Sequence, residues 1–195
     1  MAHRYFLLDK PFDVLSQFTR EMPEHRTLAD VYDFPGDVYP VGRLDRDSEG
    51  LLILTNDGSL NHKLLNPAHY HPRTYWVQVE GEPDPAALKA LAAGPSIRIK
   101  GKDHRSRPLL VERIAPAVAP RNPPIRYRKN VADSWLSLTL TEGKNRQVRR
   151  ICAAVGHPVL RLIRHAIVDV SRADLEGESV REVDRDWLYR RLELR

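Results

Sequence analysis

The sequence has little sulfur chemistry: among 195 residues Cys152 is the single cysteine. One thiol excludes an intramolecular disulfide framework and fits a reducing cytoplasm. No apolar run approaches the roughly 20 residues needed to cross a bilayer. The opening MAHRYFLLDKPF lacks the long apolar segment and small-residue cleavage site of a secretory signal. Internal repeats and low-complexity tracts are also missing. Hydrophobic residues make up 42% and charged residues 29%, which argues against wholesale disorder and leaves room for one large domain or two small lobes.

The charge that is present is unevenly spread. The net charge is +5, and from Lys144 to His165 there are six Lys or Arg residues (Lys144, Arg146, Arg149, Arg150, Arg161, Arg164) and no acid. RNPPIRYRK, from Arg121 to Lys129, adds four bases, and Arg98 to Arg107 holds five bases against one acid. A solvated surface would explain any one run. Three in an otherwise balanced chain point to a polyanion, most simply RNA or DNA.

Patterning predicts strands at Tyr5–Leu8 and Val14–Phe18 around the turn Lys10-Pro11-Phe12-Asp13, and at Val38–Val41 and Leu51–Thr55. Asn56-Asp57-Gly58 is a turn signal, followed by a helix from Ser59 to Leu65 that Pro67 stops. RTYWVQVE, Arg73 to Glu80, alternates with the period of a half-buried strand. Asp84-Pro85 and Gly94 supply the two ends of a helix over Ala86–Ala93. Ser96–Lys100 and Leu109–Ile114 flank a basic hairpin-like loop, Arg121–Asn130 reads as an extended arm, and Ser134–Thr141 alternates as a strand. Val148, Ile151, Cys152 and Val155 form the apolar stripe of a helix over Asn145–Val155. Val159–Val170 reads as one strand and Asp184–Leu192 as a last helix. Strands joined by turns, with helices interspersed, favour an α+β fold with a mixed, mostly antiparallel sheet and flanking helices.

The segment VGRLDRDSEGLLILTNDG, Val41 to Gly58, runs three acids into an apolar strand. Asp45 to Gly50 fits the opening of an EF-hand loop, but the twelfth position is Asn56 instead of a bidentate Glu, and a strand pattern stands where the exiting helix belongs. Calcium is therefore not expected. From the residues alone two readings remain: an Asx turn made by Asp45 or Asp47, or a carboxylate held at a strand end for chemistry.

Three segments in this order, VGRLDRDSEGLLILTNDG, RTYWVQVEG and EGKNRQVRRICAAVGHPVLRLIR, resemble the motifs of the bacterial ribosomal RNA pseudouridine synthases of the RsuA type. KPFDVLSQFT, PRNPPIR and SWL extend the likeness to members that modify 23S rRNA, from Tyr5 to about Val183. Arg73 stands where Lys is commoner, and the chain starts directly in the catalytic region. The resemblance implies the catalytic fold of that family, two lobes around a cleft, with residues 1–195 as one catalytic domain lacking a separate N-terminal RNA-binding domain. It implies a monomeric cytoplasmic isomerase acting on a uridine of 23S rRNA. The alternatives are another ribosomal uridine, or a non-catalytic RNA-binding assembly factor.

Converting uridine to pseudouridine breaks the C1′–N1 bond and joins C1′ to C5, an isomerisation that needs no metal, nucleotide or redox cofactor. It does need an ionised carboxylate by the sugar, and an aspartate of ordinary pKa, about 3.9, requires no activating base. The resemblance assigns this role to Asp45. It assigns Arg149 as the cation that keeps Asp45 charged, because an uncompensated buried charge costs several kcal/mol. Tyr75 is implied to stack on the uracil and take part in removing the C5 proton; its plain reading is a core aromatic. Leu162 is implied on the other side of the base, Arg46 in the space the base leaves, and Arg43, Lys144, Arg146, Arg150 and Arg164 at the RNA. Asp47 and Ser48 are expected to fix the turn.

Overall fold

The computed structural model describes residues 2–125 and 131–194. Within them the elements run β1 (Tyr5–Lys10), β2 (Tyr39–Pro40), β3 (Glu49–Thr55), α1 (Gly58–Leu65), β4 (Arg73–Glu80), α2 (Pro85–Ala92), β5 (Ser96–Ile99), β6 (Lys102–Arg105) and β7 (Leu110–Ile114). They continue as β8 (Asp133–Leu140), α3 (Gln147–Ala154), β9 (Val159–Ile167), β10 (Val170–Ser171), β11 (Val180–Val183) and α4 (Arg185–Arg191). Short 3-10 turns lie at Leu28–Asp30, Pro67–His69 and Arg172–Leu175. The architecture is α+β with mostly antiparallel pairing. No helix of the described residues is long and apolar enough to cross a membrane. The chain divides into two compact units, one made of the segments up to His71 and from Ile163 onward, the other of Pro72–Leu162.

In the first unit β1 is central, antiparallel to β3 on one side and β11 on the other. β2 adds to β3, and β9 meets β3 in parallel at Glu49↔Ile163 and Gly50↔Arg164. Both faces of this sheet are covered. Tyr5, Leu7, Leu51 and Ile53 pack with α1 and α4 through Leu60, Leu64 and Leu188, and with Leu192 just beyond α4, while Phe6, Leu8, Leu52 and Leu54 pack with Val14, Leu28, Phe34 and Val38. Burial on both sides is why YFLL and LLIL are unbroken apolar runs.

Asp57 closes this unit. It caps α1 by accepting from Ser59 N and Leu60 N, and it accepts from the hydroxyls of Tyr5 (2.9 Å) and Tyr189 (2.5 Å). Burial would raise its pKa, but the hydrogen bonds from Tyr189, Tyr5, Leu60 and Ser59 outweigh it and hold the carboxyl below its ordinary value.

In the second unit β8 lies between β4 and β7, antiparallel to both. Val77, Val79, Leu91, Leu136, Leu138, Val148, Ile151 and Cys152 form its core, so α2 and α3 bury their apolar stripes against the sheet. Asp84 caps α2 through Ala87 N, with proline in the first turn and Gly94 at φ +72° beyond its end.

Several elements differ from the sequence expectation. Val14–Phe18 is not a strand; its groups are taken individually, Val14 O by Lys10 Nζ, Leu15 N by Arg26 O and Gln17 O by Leu28 N. The basic loop after β5 is itself a strand, β6, paired with β5. Val159–Val170 is broken, because Val168 at φ +51° turns the chain so that β10 folds back on β9. α3 begins at Gln147, after Arg146 at φ +50°. β11, Val180–Val183, carries no clean alternation to mark it in the sequence. Of the predicted arm Arg121–Asn130, residues 126–130 lie outside the described residues.

Two stability predictions follow from these contacts. Asp57→Ala lowers the unfolding free energy by about 2–3 kcal/mol at neutral pH in urea titration, from the lost cap and two buried hydroxyl bonds. A depressed carboxyl pKa contributes stability above its unfolded value that is lost as pH falls through the folded one. The difference between wild type and variant therefore shrinks below about pH 4. Cys152 is fully buried and its thiol is pushed up to about 12, chiefly by burial. It reacts with a disulfide reagent only after unfolding, so its labelling rate in urea tracks loss of the second unit.

Candidate active site

The loop from Val41 to Gly50 joins β2 to β3, and its backbone is held on both sides of Asp45. Val41 N bonds Ile53 O, after which Gly42 turns at φ +70°. The next residue but one, Leu44, is gripped by a single hydroxyl: Ser16 Oγ donates to Leu44 O (2.9 Å) and accepts from Leu44 N (3.1 Å). On the other side Arg46 O accepts from Asp13 N (2.9 Å), and the Arg46 guanidinium sits 2.6 Å from the Asp13 carboxylate. That ion pair is nearly half exposed on both partners, so it fixes geometry more than it adds stability. Asp45 O accepts from Ser48 N (3.0 Å), which closes the turn. Gly50 then enters β3 at φ +102°, where any Cβ would lie 2.3 Å from Arg164 O. Only glycine fits that close approach. Asp45 is half-buried at the centre of this loop.

Lys10 lies beneath it. Only 1% exposed, its ammonium donates to Val14 O (2.7 Å) and Pro11 O (2.8 Å), with Arg46 O at 3.5 Å. Burial lowers its pKa to about 8, against the opposing charges of Glu49, Asp47 and Asp13. Sequence reasoning took Lys10 for an ordinary turn residue. The available signal was a lysine closing a strand that opens with four apolar residues, directly before proline.

Arg43, Asp45 and Arg46 thus share one loop of the first unit, and both arginines are exposed. Arg164 belongs to the same unit but not to its surface. It is 4% exposed, and its Nε donates to Leu51 O (2.8 Å). The structure puts it at a backbone carbonyl, where the sequence reading had it at the RNA.

The remaining residues lie in the second unit. Tyr75 is half-buried on β4, opposite Leu138, at the margin of the core. Leu162 is 5% exposed within that same core. Lys144 and Arg146 are exposed on the loop entering α3, and Arg149 and Arg150 are half-buried on its first turns. Arg150 reaches two carbonyls, Arg98 O (2.7 Å) and Asn145 O (3.2 Å).

The loop before α3 is shaped by two residues without an assigned role. Glu142 accepts from Arg107 N (2.9 Å), from His104 Nε2 (3.1 Å) and from the Gln147 amide. Burial would raise its pKa, but the Arg107 amide, Gln147 and His104 outweigh it, and the carboxyl is held below its usual range. Gln147, 3% exposed, accepts in turn from Lys144 N (3.0 Å). The Glu and Gln of EGKNRQVRR are thus a clasp that sets the path of the loop carrying Lys144 and Arg146. Among the described residues no three His, Cys, Asp or Glu side chains gather as cation ligands, and a strand follows the acidic loop where a calcium-binding hand has a helix.

The sequence profile of RNA pseudouridylate synthase matches residues 4–154, and the chain belongs to that family. It is 53% identical to the ribosomal large subunit pseudouridine synthase E of Xanthomonas campestris over 173 residues, 87% of this chain and 90% of that one. It is 46% identical to the protein of the same name from Vibrio parahaemolyticus, over 92% of this chain and 74% of that one. Among solved structures, a pseudouridylate synthase crystal structure superposes with a TM-score of 0.76 at 28% identity, covering 97% of this chain and 74% of the other.

Lys10 gives this site a pH signature. Its folded pKa, about 8, lies below the ordinary lysine value, so the cost of keeping it charged in the fold is fully present below pH 8. Between about pH 8 and 10 the unfolded chain binds the proton more tightly, and stability rises with pH by about 1–3 kcal/mol from this group. Lys10→Met, which strips the Val14 and Pro11 carbonyls of their donor, is less stable at neutral pH and lacks that rise. Parallel stability-against-pH curves for the two proteins would contradict the assignment.

Proposed function

We propose that the protein isomerises one specific uridine of 23S ribosomal RNA to pseudouridine, acting as a monomer in the cytoplasm with residues 1–195 as its catalytic domain. The observation that carries this reading is the immobilised turn around Asp45, gripped at Leu44 by Ser16 and at Arg46 by Asp13. Family membership and the large-subunit names of the relatives support it. A rigid backbone lets a short side chain keep one position beside a reacting sugar without reorganisation during the reaction.

In this reading the uridine leaves its stack, Asp45 supplies the carboxylate beside the ribose, and the C1′–N1 bond breaks. The base turns, C5 joins C1′, the C5 proton leaves and N1 takes one up. Arg149 provides the positive charge that keeps Asp45 ionised, and Tyr75 stacks on the base and assists at C5. Leu162 contributes an apolar wall from the edge of its core, and Arg46 lies beside the vacated space. Extruding a base costs a few kcal/mol, and one aromatic stack returns about 1–3 kcal/mol. The surplus comes from phosphate contacts, for which Arg43, Lys144 and Arg146 are exposed. Arg150 and Arg164, also proposed for the RNA, each hold a backbone carbonyl as well.

Asp45→Asn abolishes tritium release from 23S rRNA carrying 5-tritiated uridine while RNA binding stays within about threefold of wild type, since a single carboxylate is not a phosphate ligand. Release at the wild-type rate would remove Asp45 from the chemistry. Arg149→Ala lowers turnover more than Arg150→Ala does; equal losses confined to salt-sensitive binding would show that Arg149 does not serve the carboxylate. Mapping pseudouridines in ribosomal RNA from cells with and without the gene identifies the target.

A further inference from the structure

Two of the basic runs in the sequence meet within the second unit, and two side chains tie them together. The Arg150 guanidinium spans Arg98 O and Asn145 O. Arg98 is in β5, and Asn145 lies between Lys144 and Arg146 on the loop entering α3. Two fixed carbonyls suit the planar fork of arginine. Glu142 makes a second tie, holding His104 of β6, the amide of Arg107 and Gln147 of α3 together. The β5–β6 hairpin and the α3 entry loop are thereby joined at two separate points.

Register then distributes the charges of the hairpin. Ile97 and Ile99 pack on the core, so alternation sends Ser96 and Arg98 to the opposite face. Arg105 stands opposite Ser96 and Asp103 opposite Arg98. The chain reverses at Lys100 (φ +48°) and Gly101 (φ +79°), leaving Lys100 and Lys102 exposed at the tip. Asp103 is the one acid on the hairpin, and the Glu142 carboxylate is occupied inside the clasp. No Phe, Tyr or Trp occurs from Ser96 to Arg107. The one imidazole, His104, stands opposite the core-facing Ile97 and is held by Glu142, so the outward face of the hairpin offers no ring on which a base could stack. Cations without aromatic rings read phosphates, not bases.

We propose that the β5–β6 hairpin and the α3 entry loop form one phosphate-tracking surface for the RNA backbone outside the reacting uridine. Lys100, Lys102 and Lys144 make the contacts, and Arg150 and Glu142 are positioning residues that hold the two segments in register. This assignment rests on the RNA substrate of the preceding subsection, and it separates the cations that touch RNA from the one that braces the fold.

The test measures the affinity of the full chain for a 23S rRNA transcript across a range of KCl concentrations. Replacing Lys100 and Lys102 together by Gln flattens the log–log salt dependence by about 1.4–1.8 and weakens binding about tenfold at low salt; an unchanged slope and affinity would overturn the surface. Arg150→Met speeds amide hydrogen exchange across Ser96–Arg105 by about tenfold or more, because the brace at Arg98 O is gone. Unchanged exchange overturns the role of Arg150, and a slope lowered by about 0.7–0.9 without faster exchange would make it a phosphate ligand instead. Tritium release by the wild-type chain is read on the same transcript. Its absence fails the isomerase reading by itself, whereas intact release with a salt slope indifferent to Lys100 and Lys102 fails only the surface assigned here.

Discussion

A side chain as short as aspartate can be no better placed than the backbone that carries it, and the Ser16 hydroxyl is what places the backbone at Leu44. By donating to the carbonyl and accepting from the amide of one residue, it substitutes for the ladder partner that a loop residue lacks. Lys10 extends the same logic to Pro11 and Val14, collecting carbonyls that would otherwise be buried without donors. A buried ammonium is an expensive way to do this, as its lowered pKa records. It nevertheless satisfies two carbonyls and leaves positive potential beneath a turn that holds Asp45, Asp47 and Glu49.

The second unit solves a related problem with the opposite charge. Glu142 gathers an amide, an imidazole and a carboxamide, and Gln147 passes the constraint to Lys144 N. The loop therefore reaches α3 on a path set by buried polar groups, while its cations stay at the surface. Motif residues that share one short string have divided tasks: Glu142, Gln147 and Arg150 hold backbone, and Lys144 and Arg146 face outward.

Much of this was legible in the sequence. The spans of β4, α1, α2 and α4 followed from alternation, capping aspartates and terminal prolines or glycines, and the motif order led to the family. What was missed depended on partners remote in sequence. Val14–Phe18 has strand composition, yet its groups are claimed singly by Lys10, Arg26 and Leu28. β6 was hidden because its charged residues fail the apolar alternation that marks strands, although pairing with β5 needs only backbone. That Arg164 and Arg150 each reach a backbone carbonyl was also hidden, because spacing cannot show where a guanidinium ends.

The order in which the chain is made gives the sheet of the first unit a particular hazard. Pro72–Leu162 is one uninterrupted stretch, so that unit has all its strands as soon as Leu162 leaves the ribosomal tunnel. β1 must wait for β11, and Asp57 must wait for Tyr189. Until then a nascent chain exposes the flank of Tyr5-Phe6-Leu7-Leu8, a strand apolar on both faces and therefore adhesive. Stalled or truncated products lacking the last few dozen residues are thus the aggregation-prone form of this protein, and synthesis of its tail is the step that makes the head safe.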